Sequence, residues 1–179
     1  MSSVAEIWDV IALEAERESP LWGAALRETV ERDREPVFSP LGEGRWALGL
    51  ETIYEGYLLH YGRRRPRLFA PAGADTALLL GDYLYAHGLV RIAEHEEVAA
   101  VTDLAELISL CAQLRADRAE GDGLAWAATA ALLGTGRLDE ARGALRIDRD
   151  SAPLRELALA VAGPEALETA LAAHRRWVG

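Results

Sequence analysis

Apolar side chains recur every three or four residues along most of the chain, a spacing that places them on one face of a helix. The regularity is clearest between residues 44 and 62, where the apolar positions are Trp46, Leu50, Ile53, Tyr54, Tyr57, Leu58 and Tyr61. Capping residues and helix breakers separate the periodic segments at Ser19-Pro20, Gly121-Asp122-Gly123 and Gly163-Pro164. No segment shows the alternation of a half-buried strand. The pattern therefore predicts an all-α helical bundle of about eight or nine helices.

The segment Ala74–Ala93 differs from the others because its apolar residues cover nearly every side of a helical projection. Neighbouring helices usually surround a helix of this kind, so we expect it to be the buried centre of the bundle. Asp75, Asp82, His87 and Arg91 interrupt the segment. These ionisable residues make it too polar for a membrane span, and the sequence predicts none.

A chain of 179 residues is expected to form one domain. The helices predicted before Gly121 are long and rich in aromatic residues, whereas those after it are short and rich in alanine. We therefore interpret residues 1–179 as a single helical domain, with a long-helix core over 1–121 and a C-terminal subdomain over 122–179.

Composition excludes several classes of function. The net charge of −10 argues against a nucleic-acid partner, because phosphate binding requires a basic surface. All cationic side chains are arginines, so chemistry that depends on lysine is excluded. Cys111 is the single cysteine, which excludes an internal disulfide and a cysteine zinc site. The amino-terminal residues lack the pattern of a signal peptide, and we expect a cytoplasmic protein.

Residues Leu78–Ala86, with the sequence LLLGDYLYA, resemble a helix of the trans-isoprenyl diphosphate synthases, the polyprenyl synthetase family. Upstream, Tyr57–His60 looks like the family's segment that ends in Leu, then Ile or Leu, then His. Arg63–Pro66 looks like the Arg-Arg-Gly-x-Pro segment that follows the family's aspartate-rich motif. The resemblance covers residues 53–119 and implies a reduced, terpenoid-synthase-like helical core.

The aspartate-rich motif itself is missing. His60 is followed by Tyr61-Gly62 and then by the arginines, and Asp-Asp-x-x-Asp occurs nowhere in the chain. In the family these aspartates bind the magnesium ions that hold the substrate's diphosphate, because hard cations need several carboxylate oxygens. The resemblance without this motif, and without any lysine, implies a non-catalytic protein with no cofactor. Its expected partner is a second copy of itself or a catalytic prenyl synthase subunit.

The candidates for ligand binding lie around the arginine cluster, because a guanidinium matches phosphate oxygens in shape and charge. They are Tyr57, His60, Arg63, Arg64, Arg65 and Arg67. The alternative is a solvated loop whose arginines pair with acidic surface residues.

Asp82 and His87 are interpreted as structural polar residues. We expect Asp82 to lie among apolar side chains and to bond to a tyrosine, histidine or arginine of a neighbouring helix. Five residues of helix separate Asp82 from His87 by about 140° around the axis, and no metal site is predicted.

Three functional hypotheses follow from these observations. The first is a non-catalytic, synthase-like protein that acts as a self-associating or partner subunit. The second is an isoprenoid- or anion-binding module, in which the arginine loop holds a phosphorylated head and the aromatic helix holds an apolar tail. The third is a tetratricopeptide-like scaffold, because Ala127–Leu145 has the pattern of one such helix pair.

Overall fold

The computed structural model describes residues 4–63 and 66–178, which form nine α-helices. They are α1 (Val4–Glu18), α2 (Pro20–Ala25), α3 (Ala47–Tyr61), α4 (Ala74–Ala93), α5 (Val98–Ala116), α6 (Asp122–Leu132), α7 (Asp139–Asp148), α8 (Ala152–Ala162) and α9 (Pro164–Val178). Three short 3₁₀ turns, Thr29–Glu31, Ser39–Leu41 and Gly44–Trp46, connect α2 to α3. Within these ranges no strand is formed beyond one isolated bridge between Leu26 and Phe69. The predicted all-α bundle is confirmed.

Helix boundaries follow the local signals of the sequence. α2 begins at Pro20, and the hydroxyl of Ser19 accepts a hydrogen bond of 3.1 Å from the backbone N–H of Leu21. α6 begins after Gly121, whose φ of +116° lies in the left-handed region. A Cβ at this glycine would also lie 2.8 Å from Cδ1 of Leu145. The backbone conformation therefore favours glycine before α6.

The centre of the bundle is α3, in which every residue from 49 to 58 is buried. One large core contains its Leu50, Tyr54 and Tyr57 together with side chains of α5, α6, α8 and α9. A smaller core lies on the other side, where α1, α2 and α4 meet around Trp8 and Leu84. The large core joins side chains from both sides of Gly121, so the early and late helices share one interior.

α3 and α4 run antiparallel and approach closely where glycine faces glycine. A Cβ on Gly56 would lie 2.9 Å from the carbonyl oxygen of Gly81, and a Cβ on Gly88 would lie 3.0 Å from the carbonyl oxygen of Gly49. The two glycines of each helix are seven residues apart and share one face. The absence of side chains at these four positions permits the short distance between the helix axes.

The expectation that Ala74–Ala93 is the buried centre is wrong. α4 packs mainly on α3 and exposes its opposite side, where Leu78, Leu79 and Val90 are 54%, 56% and 57% exposed. The apolar residues on all sides therefore reflect an apolar outer face and not a surrounding shell of helices. Among the residues that the structure describes, no helix is both long and apolar enough to cross a bilayer.

Candidate functional site

Arg67, predicted to bind a ligand, is instead buried beneath α1. Its Nη1 donates to Glu51 Oε2 at 2.8 Å and its Nε donates to Glu55 Oε2 at 3.1 Å. The rings of Trp8 and Tyr54 cover the guanidinium, with centroids 4.4 and 5.0 Å from Cζ. No ligand reaches this side chain, so Arg67 has a structural role.

The same two carboxylates anchor the connecting segments to α3. Glu51 Oε1 accepts hydrogen bonds from the backbone N–H groups of Val37 and Ser39, and Glu55 Oε1 accepts one from Leu68. Two buried carboxylates are costly without a cation, and Arg67 supplies it. This cluster fixes the segments before and after α3.

The other predicted polar residues are dispersed. Nε2 of His60 lies 3.2 Å from Oδ1 of Asp82, and burial lowers the pKa of His60 despite that neighbouring charge. Asp82 therefore lies near a histidine of the neighbouring helix, but Nε2 of His60 has no hydrogen-bond partner among the described residues, and the Asp82 side chain is 66% exposed and not buried. His87 Nε2 lies 3.0 Å from Oε2 of Glu14 and ties α4 to α1. Arg64 and Arg65 lie outside the described residues.

Arg63 belongs to a cavity that the sequence did not reveal. The cavity has a volume of about 940 Å³ and lies between the end of α3, the end of α5, the start of α6, the α7–α8 connection and α9. Six arginines line it: Arg63, Arg115, Arg118, Arg149, Arg155 and Arg175. Only two carboxylates, Glu120 and Asp122, line it with them. An acidic protein thus concentrates a third of its arginines at one cavity.

A hydrogen-bonded network forms the floor of this cavity around Asp122. Oδ2 of Asp122 accepts from the hydroxyl of Tyr57 and from Nη2 of Arg115, and it lies 3.2 Å from Nε2 of His174. Because a carboxylate only accepts, Nε2 of His174 carries a proton. Nδ1 of the same ring lies 2.9 Å from the hydroxyl of Tyr54 and forms a hydrogen bond with it. The network joins α3, α5, α6 and α9.

The electrostatics of the network keep Asp122 ionised. Burial alone would raise the pKa of this carboxyl, but the hydrogen bonds from His174 and Tyr57 and the charge of Arg115 hold its pKa well below the usual range. Burial raises the pKa of the Tyr57 hydroxyl, which therefore remains a donor. The predicted ligand residue Tyr57 thus lies beneath the cavity and positions its charged groups.

Arg115 is held rigidly by this network. Its Nε donates to the Tyr57 hydroxyl at 2.9 Å and its Nη2 donates to Asp122. Nη1 makes no hydrogen bond to the residues that the structure describes. A guanidinium fixed in place loses little side-chain entropy when it binds an anion.

The remaining arginines of the cavity fall into two groups. Arg149 is paired with Asp117 at 2.5 Å and Arg155 with Glu168 at 2.8 Å. Arg63, Arg118 and Arg175 are exposed, and none of them has a carboxylate within salt-bridge distance in the described part of the chain. Carboxylates outnumber arginines in this protein, so three unpaired arginines at one cavity mark an excess of positive charge there.

The start of α6 adds hydrogen-bond donors to the same wall. Gly121, Asp122, Gly123 and Leu124 all line the cavity, and no side chain caps this helix within the described residues. The first N–H groups of a helix have no partner within it, and they carry partial positive charge. Oxygen atoms of an anion suit both these N–H groups and the guanidinium groups.

The sequence gives little sign of this cavity, because its arginines come from five separate segments. Gly123, directly after Asp122, is the one local signal, since it lets His174 approach the start of α6. A Cβ on Gly123 would lie 3.0 Å from Cδ2 of His174. In residues 4–63 and 66–178 no cluster of three histidine, cysteine or acidic side chains is arranged to hold a metal ion.

Comparisons of the chain with family models, with curated proteins and with solved structures found no match. The resemblance of residues 53–119 to the trans-isoprenyl diphosphate synthases therefore stays a prediction.

Proposed function

We propose that this protein binds a small organic anion in the arginine-lined cavity. The observation that carries the proposal is the set of six arginines around one cavity of a chain whose net charge is −10. Surface arginines of an acidic protein are expected to pair with its carboxylates. Three of these arginines have no such partner in the described residues, and a fourth, Arg115, is held by Tyr57 and Asp122.

This proposal keeps the anion-binding part of the second hypothesis and places it at other residues. Arg63 is the one member of the predicted cluster that lines the cavity, whereas Arg67 neutralises Glu51 and Glu55. The aromatic side chains Tyr54 and Tyr57 are buried in the core, so they offer no surface to an apolar tail. The geometry therefore favours an anion without a long apolar tail.

Calorimetric titration with pyrophosphate and with citrate tests the proposal. Arg118→Gln and Arg175→Gln remove exposed cationic groups and leave the core intact. Each substitution is expected to weaken binding about tenfold, the usual effect of losing one charge-assisted hydrogen bond. Added salt is expected to weaken binding further.

Arg137→Gln is the matched control, because Arg137 is exposed at a different surface cavity between α7 and α8. The affinity of the Arg137→Gln variant for both anions should equal that of the wild type. The proposal is wrong if the wild type binds neither pyrophosphate, citrate nor any phosphate ester, or if the control weakens binding as much as the cavity variants do.

A second proposed function is self-association through α4, which retains the first hypothesis. Leu79, Ala86 and Val90 lie on the exposed face of this helix with Asp82 between them, at three- and four-residue spacings. An exposed apolar face of this kind is typical of an interface. Sedimentation analysis of Leu79→Glu should show a loss of dimer, whereas Ile147→Glu on α7, also exposed, should not. A wild type that is monomeric at high concentration contradicts this function.

A further inference from the structure

The cavity contains acceptors of hydrogen bonds as well as cations. Asp122 and Glu120 line it among the arginines, together with Ser151, whose hydroxyl does not cap α8. A ligand that carried only negative charge would gain nothing from the two carboxylates and would be repelled by them. The carboxylates suit a ligand that also has hydroxyl groups to donate.

Asp122 has an oxygen available for this purpose. Its Oδ2 receives the bonds from Tyr57, Arg115 and His174, whereas Oδ1 accepts none from the described residues. The carboxyl stays ionised because those three partners lower its pKa. A charged acceptor of this kind makes strong hydrogen bonds with hydroxyl donors.

The size and the apolar wall of the cavity restrict the ligand further. A volume of about 940 Å³ is far larger than one phosphate group needs and lies in the range that holds small organic molecules. The apolar side chains of the wall are aliphatic: Leu124, Leu171, Val178 and Ala119. Apart from His174, no aromatic ring of the described residues lines it, so the wall offers no stacking surface for a nucleobase.

We infer that the ligand is a hydroxylated phosphate ester, such as the phosphate of a sugar or polyol. The phosphate binds at Arg115 and the unpaired arginines, and the hydroxyl groups donate to Asp122 and Glu120. This inference rests on the proposed anion-binding function and specifies its ligand class.

Two pairs of ligands with equal charge test the inference by calorimetry. Glycerol phosphate is compared with propyl phosphate, and a hexose bisphosphate with hexanediol bisphosphate. The hydroxylated member of each pair should bind about tenfold more tightly, the ratio expected for one hydrogen bond to a charged group.

Glu120→Ala is the informative variant, because Glu120 is exposed and its loss leaves the core intact. This variant should reduce the ratio between the binding affinities of the two members of each pair. Glu156→Ala, an exposed carboxylate on α8 at a different cavity, is the matched control and should leave the ratio unchanged.

The outcomes separate this inference from the proposed function. Equal affinity for both members of each pair overturns the inference and leaves anion binding intact. Tighter binding of the alkyl phosphates, or of farnesyl diphosphate, than of the hydroxylated phosphates has the same consequence. A ratio that Glu120→Ala does not change also counts against it. Failure of all these phosphates, together with pyrophosphate and citrate, to bind overturns the proposed function itself.

Discussion

Replacing Gly56 by alanine tests how closely α3 and α4 must approach. The added Cβ would lie 2.9 Å from the carbonyl oxygen of Gly81 and 3.0 Å from Cδ1 of Tyr85. The first obstacle is backbone and the second belongs to a partly buried ring, so neither is a flexible chain end. The two helices must therefore move apart to accept the methyl group.

The magnitude follows from two opposing contributions. Alanine is favoured over glycine in a helix interior by about 1 kcal/mol, and adding a methyl group to a packed interface typically costs about 1–3 kcal/mol. Gly143 provides the matched control, because it lies within α7 and a Cβ there would have no neighbour within 4 Å. The helix-propensity gain is common to both variants, so their difference in unfolding free energy isolates the packing cost.

Urea unfolding followed by circular dichroism measures that difference. Gly143→Ala should be more stable than wild type by up to about 1 kcal/mol. Gly56→Ala should be less stable than Gly143→Ala by about 1–3 kcal/mol, with an unchanged dependence on urea. Equal stabilities of the two variants would refute the close contact between the helices.

Three further predictions concern the buried polar groups. Arg67→Leu leaves the carboxylates of Glu51 and Glu55 buried without a cation and should lower the free energy of unfolding in urea by about 3–5 kcal/mol. If it lowers the free energy of unfolding less than Arg137→Gln does, Arg67 does not stabilise the two carboxylates. The low pKa of Asp122 means that its stabilisation is complete above the ordinary aspartate pKa of about 3.9 and is lost as the pH falls below it. Asp122→Asn should therefore flatten the acid limb of stability against pH, and an unchanged limb would speak against the network. Burial raises the pKa of Cys111 well above its usual value, so the native thiol should resist Ellman's reagent until urea unfolds the chain. Rapid labelling of the native protein would show instead that the thiol is accessible to the reagent.

The helical class could be predicted because periodicity and caps are local signals. Trp46 to Tyr61 repeat at helical spacing and Ser19-Pro20 marks a helix start, and both features are where the sequence places them. Which helix is buried at the centre of the bundle could not be predicted in the same way. Both α3 and α4 are apolar on average, and which of them is central depends on how many helices pack around each.

One structural residue does have a signal in the sequence. Glu51 and Glu55 lie four residues apart in the most aromatic helix of the chain, and two carboxylates on one buried face require a cation nearby. That reasoning predicts a structural role for one arginine of the nearby cluster, and the structure identifies it as Arg67. The cavity offers no comparable signal, since Arg63, Arg118 and Arg175 are brought together only by the packing of α5 and α9.

The position of Trp8 has a consequence for how the chain can be divided. This indole lies over the guanidinium of Arg67 and donates a hydrogen bond of 2.5 Å to the carbonyl oxygen of Arg34. An expression fragment that starts at α2 would admit water to the three charges beneath the ring. α1 is therefore part of the smallest folding unit, and a tag or fusion partner belongs before it and not in its place.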